Sequence, residues 1–432
     1  MTIGPAAGEP GTARAPIGPP VDRAQVQRRV LRVLVCTQVL GGIGVSIGLA
    51  VSTLIAAQMS GSDAIGGTAL TCAVVGAAAA AVVLARIAAR SGRRWSLTTG
   101  YLIGAVGAAV AMLAGQLGRW PLLLAGLVLL GGATAAGLAA RFAATDLAAP
   151  HRRARALATV VWATTVGAVA GPNLGAPAQR LGTLLGLEPA AGPFLCCLLV
   201  FALAATLTGT GLRPDPLVLA RAPATGPDSG ASRPAISARA ALRAAPAARL
   251  GVAGIVLCHL IMVGLMSMTP VHMGHGGATL QLVGLVISLH VAGMYALSPV
   301  FGWLVDRAGS RPVLGMAAVL LVAAGGVGSI ASSQQTALLS VGLVLLGLGW
   351  SAGLVAGSAL LTVAVPVPER TAVQGLADVS MNVAGAVGGI VAGLTVSGAS
   401  FGVLGVGCAL LALPYLVAVL LARPRTLPAE AG

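Results

Sequence analysis

The residues most able to do chemistry in this chain are few, and most stand in apolar surroundings. Asp378 lies in a run of small and aliphatic residues from 372 to 396. Gln374, Met381, Asn382, Gly385 and Gly389 share its helical face through three- and four-residue spacings. A carboxylate held away from water is penalised in its charged form, and that is the property by which a side chain takes up and releases a proton in step with another event. The alternative role is a polar residue hydrogen-bonded between packed helices. Arg141 and Asp146 form a second charged pair at the end of another apolar run, where a salt bridge that fixes the end of the run is expected ahead of a ligand contact. Gln38 is polar within a third run. His259 and His290 are imidazoles in apolar stretches that could titrate near neutrality or satisfy a neighbour's hydrogen bond.

Two further chemistries have a foothold. Cys258, His259, Met262, Met266, Met268, His272, Met273 and His275 crowd one stretch, and soft thioether, thiol and imidazole groups suit Cu(I). If 248–269 is a helix, His259, Met262 and Met266 share a face while His272 to His275 lie several turns away, so one tight site cannot hold them all; adaptable methionine walls for apolar ligands fit equally. Gly349-Trp350-Ser351-Ala352-Gly353 matches the nucleophile elbow G-x-S-x-G, but that motif needs a strand–turn–helix context and here it sits in a continuous apolar run. The chain has no lysine, which excludes a standard P-loop and a lysine Schiff base. No enzymatic activity, cofactor or bound metal is expected.

The elements that must position these residues follow from composition. Of 432 residues 57% are hydrophobic, 9% charged and 3% aromatic, where a soluble domain carries roughly 25% charge. An ordinary soluble enzyme is excluded, and the long apolar runs exclude a disordered or collagen-like chain. A bilayer-spanning helix needs about 20 apolar residues. Twelve such spans can be read: 33–57, 65–85, 96–116, 121–142, 156–176, 192–212, 248–269, 279–304, 313–331, 337–362, 372–396 and 400–421.

The net charge of +15 raises the question of a nucleic-acid partner. With both termini inside, all arginines except Arg119 and Arg180 fall in inward segments, which is the positive-inside bias of a membrane protein; dispersed over short loops, they make no nucleic-acid patch. Residues 1–30, rich in Pro, Gly and Ala, read as a disordered cytoplasmic tail without a signal peptide, and 422–432 as a second tail. The segment 213–247 is a cytoplasmic linker that divides the spans into a half at 31–212 and a half at 248–421. Arg213-Pro214-Asp215-Pro216 stops a helix at its start, and a short interfacial helix is expected from Ile236 to Leu250. The six cysteines lie in spans without C-x-x-C spacing and read as packing residues.

The halves repeat. Arg90, Gly92, Arg94 and Leu97 recur as Arg307, Gly309, Arg311 and Leu314, each displaced by 217 residues. Two like halves with a site between them are a recurring transporter plan. The second loop, Gly302-Trp303-Leu304-Val305-Asp306-Arg307-Ala308-Gly309-Ser310-Arg311-Pro312, matches the signature G-x-L-x-D-R-x-G-x-R-P and resembles the major facilitator superfamily; the first copy departs from it with Ala85 and Ala89.

The resemblance implies an all-α membrane fold of twelve helices in two pseudo-symmetric halves, with this loop latching the halves together on the cytoplasmic side. Asp306 is expected to meet the start of span five near Arg155, or else to neutralise Arg307 and Arg311 in a solvated loop. The missing first-half aspartate implies weaker holding beside span two. In span five, Gly167, Gly171, Pro172 and Gly175 resemble the g-x-x-x-G-P-x-x-G-G motif of members that export drugs by antiport, with Ala176 departing from it. Glycines four apart give a smooth face for close helix approach, and Pro172 should bend the helix. Such antiporters often carry an acidic residue in span one, where this chain offers Gln38.

The expectation is a transporter of the bacterial cytoplasmic membrane, monomeric, working by alternating access. Proton-coupled efflux of a small hydrophobic or amphipathic compound comes first. Proton-coupled uptake of a sugar or metabolite comes second, although few aromatics and few charges suit sugars poorly. Soft-metal export is the third reading.

Overall fold

The computed structural model describes residues 22–221 and 237–422. Asp22 accepts hydrogen bonds from the backbone N–H of Ala24 (2.9 Å) and Gln25 (3.2 Å), which caps the orphan donors of α1, Arg23–Ser60. Residues 23–30, expected in the tail, are therefore helix. There follow α2 (Asp63–Leu117), α3 (Trp120–Ala143), a 3₁₀ turn at Pro150–Arg152, α4 (Arg153–Leu184), α5 (Gly192–Gly211) and the short α6 (Pro216–Arg221). The second half holds α7 (Ala238–Ala244), α8 (Pro246–His275), α9 (Leu280–Tyr295), α10 (Ser298–Ala308), α11 (Ser310–Ile330), α12 (Thr336–Ala364), α13 (Val367–Gly398) and α14 (Phe401–Leu421).

Eleven helical stretches among the described residues are long and apolar enough to cross a bilayer, and one of them, Thr68–Leu117, is 50 residues long. At 1.5 Å per residue that is more than twice a hydrocarbon core of roughly 30 Å. Gly92, at φ 88° and ψ 178°, breaks it into spans two and three, which brings the number to twelve. Its repeat mate Gly309 adopts φ 86° and ψ 166° between α10 and α11. A side chain at either φ would be strained, so the glycine shared by the two loops is the residue that lets each chain turn there.

Two expected elements differ. Span eight, read as one helix, is α9 and α10 joined at Ala296–Leu297, because Pro299 can start a helix and cannot continue one. The interfacial helix is shorter than expected: α7 stops at Ala244, where Ala245 turns extended (φ −116°, ψ 87°) ahead of Pro246. Ile236 lies outside the described residues.

Two hydrophobic clusters form. One gathers Leu34, Tyr101, Leu127, Phe194 and Phe201 of the first half. The other gathers Ile255, Leu314, Leu321, Trp350 and Leu354 of the second half, and it also takes in Phe142, Leu157 and Ala158, where the halves meet. Large apolar side chains such as Leu184, Leu394 and Leu420 point outward, as helices that face lipid require. Cys197, Cys258 and Cys408 are buried as expected of packing residues, whereas Cys36 is exposed on the outside of α1.

Candidate functional site

The centre of the seam between the halves is an ion pair. Arg141, in the last turn of α3, donates through Nη2 to Asp378 Oδ1 of α13, and both side chains are almost wholly buried. The guanidinium also donates through Nε to Ser358 Oγ of α12 (3.1 Å) and through Nη1 to the Leu138 carbonyl, and it lies 4.3 Å from the Phe142 ring centre. Asn382 Nδ2 donates back to the Asp378 carbonyl (2.8 Å). Arg141 and Ser358 are repeat mates, 217 residues apart. Two equivalent positions can touch only where the twofold relation carries each onto the other, so this pair marks the pseudo-symmetry axis.

The expected pairing of Arg141 with Asp146 does not form. Beyond Ala143 the chain leaves α3 through turns, with the Asp146 N–H donating to the Ala143 carbonyl, and this turns the Asp146 carboxylate towards α2. There Arg93 takes it, Nε to Oδ2 at 2.8 Å and Nη2 to Oδ1 at 3.4 Å, and Arg93 Nη2 also donates to Gln374 Oε1 of α13 at 2.6 Å. A buried pair is costly unless its remaining donors and acceptors are satisfied, and here one guanidinium serves a carboxylate of its own half and an amide of the other. Gln374 Nε2 has no partner. It borders a cavity of about 20 Å³, shared with Arg93, Ser96, Phe142, Thr371 and Asp378, which has room for one water.

The two loop copies close the same end of the seam in different ways. Asp306 accepts from the backbone N–H of Ala154 and Arg155, 3.0 Å each, and pairs with Arg155 Nε at 3.3 Å. A carboxylate on the first N–H groups of α4 is favoured by the helix dipole, and this is the first of the two roles expected for it. Arg307 lies over Trp303 instead, 5.6 Å from its ring centre, and Arg311 and Gly309 belong to the turn into α11. Gly302 makes the approach possible: a Cβ there would lie 2.5 Å from Ala158 Cβ and 2.8 Å from the Ala154 carbonyl.

In the first copy the glycine has changed sides. Ala85, the mate of Gly302, packs against Gly375, the mate of Ala158, where an added Cβ would lie 2.3 Å from Ala85 Cβ. The side expected to be weakly held is thus closed by this contact and by Arg93 with Gln374. Arg94 does not cross the seam; its Nε donates to the Gly209 carbonyl (2.6 Å) at the end of α5, within its own half. Gly92 likewise faces Asp215. Arg93, Ser358 and Gly375 are among the seam residues that sequence reading missed. The displacement of 217 points to Ser358 from Arg141 and to Gly375 from Ala158, whereas Arg93 has Ser310 as its mate and carries no such signal.

The glycine stripe of α4 runs along α1. A Cβ at Gly167 would lie 2.5 Å from the Gly42 backbone and one at Gly171 2.3 Å from Ser46 Cβ, while Gly175 has ordinary room, 3.6 Å from Val51 Cγ1. The side chain of Pro172 lies outside the described residues. Gln38 joins the same junction by donating from Nε2 to Thr164 Oγ1 (2.8 Å).

The histidines are engaged elsewhere. His259 Nδ1 accepts from Trp350 Nε1 (3.0 Å) and its ring packs on Gly385, two turns along α13 from Asp378. His290 is buried between α9 and α12, with Nδ1 2.7 Å from the Leu343 carbonyl and Nε2 without a partner. His272 stacks on Phe401 with ring centres 4.3 Å apart. Among the described residues no three His, Cys, Asp or Glu side chains gather as a metal site. Ser351 is buried in mid-helix in α12, outside the strand–turn–helix setting that a nucleophile elbow needs.

Comparison with known proteins agrees with this architecture. The chain is 36% identical over 409 residues to the uncharacterized MFS-type transporter YdeG of Bacillus subtilis, covering 95% of each. It is 26% identical over 367 residues to the riboflavin transporter RfnT of Brucella anthropi, covering 83% of this chain and 86% of the other. The human organic anion transporter MFSD10 (TETRAN) shares the fold, with a TM-score of 0.70 at 17% identity over 93% of this chain and 100% of that one. The family model described as Major Facilitator Superfamily matches residues 34–278 and 252–432. Two six-helix halves, a charged seam on their axis and a loop carboxylate seated on the facing helix are accordingly features of a chain that belongs to the Major Facilitator Superfamily of transporters.

Proposed function

We propose that the protein is a proton-coupled exporter of small hydrophobic or amphipathic compounds, working by alternating access in a bacterial cytoplasmic membrane. The observation that carries this reading is the buried Arg141–Asp378 pair between the halves. With the arginine-rich end inside, the closed seam corresponds to the state that faces outward. The ionised Asp378 holds Arg141 and helps keep the inner end shut. A proton arriving from outside neutralises the carboxylate, the attraction to Arg141 is lost, and the inner end is free to open. The cavity beside Gln374 and Asp378 then supplies a route for the proton to the inside, and the compound enters the vacated site. Each turn exchanges an inward proton for an outward molecule. The small residues and methionines along α8 and α13 fit an apolar cargo. The stripe of α4 against α1 supports export through its resemblance to the antiporter motif.

Proton-coupled uptake of a metabolite is the second reading; the similarity to the riboflavin transporter supports a metabolite as the cargo. Overexpression and deletion strains profiled against toxic compounds, with everted vesicles reporting proton flux, separate the two. Export predicts resistance that rises with expression and proton movement that Asp378→Asn abolishes while substrate counterflow persists. Unchanged resistance across the panel, with inward accumulation of a metabolite, would overturn the export reading.

A further inference from the structure

Where the first loop lacks its aspartate, another residue occupies the gap. The linker helix α6 is pinned to the first half at its start. Asp215 accepts from the Arg94 backbone N–H through Oδ2 (2.7 Å), and through Oδ1 from Leu217 N (2.9 Å) and Val218 N (3.2 Å), while Leu217 is fully buried. From that base Arg221 reaches outward. Its Nη1 donates to the Ala89 carbonyl at 2.8 Å and its Nη2 to Thr371 Oγ1, the fifth residue of α13, at 3.5 Å.

Shifted by 217 residues, Ala89 becomes Asp306 and Thr371 becomes Ala154. These are two positions that the Asp306 carboxylate joins on the other side. The chemistry is inverted and still suited to its place. Asp306 lays a negative charge on a helix N-terminus, whereas Arg221 lays a positive charge on a carbonyl at the end of the first segment of α2, three residues before the break at Gly92.

We propose that Arg221 is a positioning residue of the arginine-rich gate, taking on the first-half side the bridging place that Asp306 holds on the other. Helix α6 is then a working part of the gate: opening this end strips Arg221 from Thr371, and the position of α6 sets how readily that happens. This rests on the alternating-access reading, and the test separates the two.

Spin labels at Ser91→Cys and Pro368→Cys, in full-length protein whose six native cysteines are replaced, report the distance across this side of the seam in lipid nanodiscs. Arg221→Ala should raise the ratio of open to closed protein roughly three- to tenfold, the net worth of one ordinary hydrogen bond, because the contact across the seam is long at 3.5 Å. Thr371→Val keeps the shape, removes the acceptor in the other half, and should act in the same direction. The two together should exceed Arg221→Ala little, because they remove one shared contact, whereas Arg221→Ala with Asp306→Asn should exceed both singles. If Arg221→Ala and Thr371→Val leave the distances unchanged while Asp306→Asn shifts them, Arg221 is a passive surface residue and alternating access stands. If Asp306→Asn also leaves them unchanged, the two-state gate itself is refuted.

Discussion

The exchange of glycine and alanine between the two loop contacts makes the seam testable in a way that needs no substrate. On one side Gly302 faces Ala158, and on the other Ala85 faces Gly375. Gly302→Ala places a Cβ 2.5 Å from Ala158 Cβ and 2.8 Å from the Ala154 carbonyl, well inside contact distance. Part of that obstacle is backbone, so α10 must back away from α4, and overpacking of this kind costs about 1–3 kcal/mol. The cost falls on the closed state alone, because the contact exists only there; the better helix propensity of alanine acts on both states and cancels. The ratio of open to closed protein should rise roughly 5- to 150-fold, read as a spin-label distance across the loop. The decisive variant is Gly302→Ala with Ala158→Gly, which copies the arrangement of the other side. It should return the ratio most of the way to the parent value, a coupling of about 1–3 kcal/mol in a double-mutant cycle. If the double variant opens as far as the single one, the two contacts are not interchangeable halves of one closure and the reasoning from the repeat is refuted.

Other consequences are more direct. Asp378→Asn leaves the Arg141 charge buried without its partner and should cost about 3–5 kcal/mol of stability, seen as a lower unfolding midpoint in detergent. Arg141→Gln with Asp378→Asn should recover most of it, and failure to recover would mean that the charges are not coupled. Arg93→Gln strands the buried Asp146 carboxylate and removes the donor to Gln374, so it should destabilise by a similar ~3–5 kcal/mol and also favour opening; a change in stability with no change in opening would confine Arg93 to its own half. Asp22→Ala removes the cap of α1 and should cost about 1 kcal/mol locally. Hydrogen exchange at Ala24 and Gln25 should speed up while the centre of α1 is unaffected.

Much of the architecture was legible because the bilayer restricts the possibilities. Backbone groups in lipid must be satisfied within a helix, so apolar runs of about 20 residues could only be spans, and the arginines between them marked one end. The displacement of 217 residues carried the repeat, and the turn at Gly309 with its carboxylate on the start of span five could be expected from one loop. Where a glycine acts through a local rule, as at Gly92, the chain also declared itself, although Pro246 and Pro299 were both passed over inside stretches read as continuous helix.

What only the tertiary structure decided was pairing. Arg141 and Asp146 are five residues apart and meet different partners, Asp378 and Arg93, because the turns after α3 aim the two side chains at different helices. Nothing in residue types chooses among 25 other arginines for one carboxylate; packing chooses, since a buried charge is tolerated only where a specific opposite charge is delivered to it. For the same reason Ala85 departs from the motif in sequence and yet completes a fit in space, with Gly375 packed against it. A steric fit belongs to two surfaces at once, and one strand of sequence records each surface without recording that they touch.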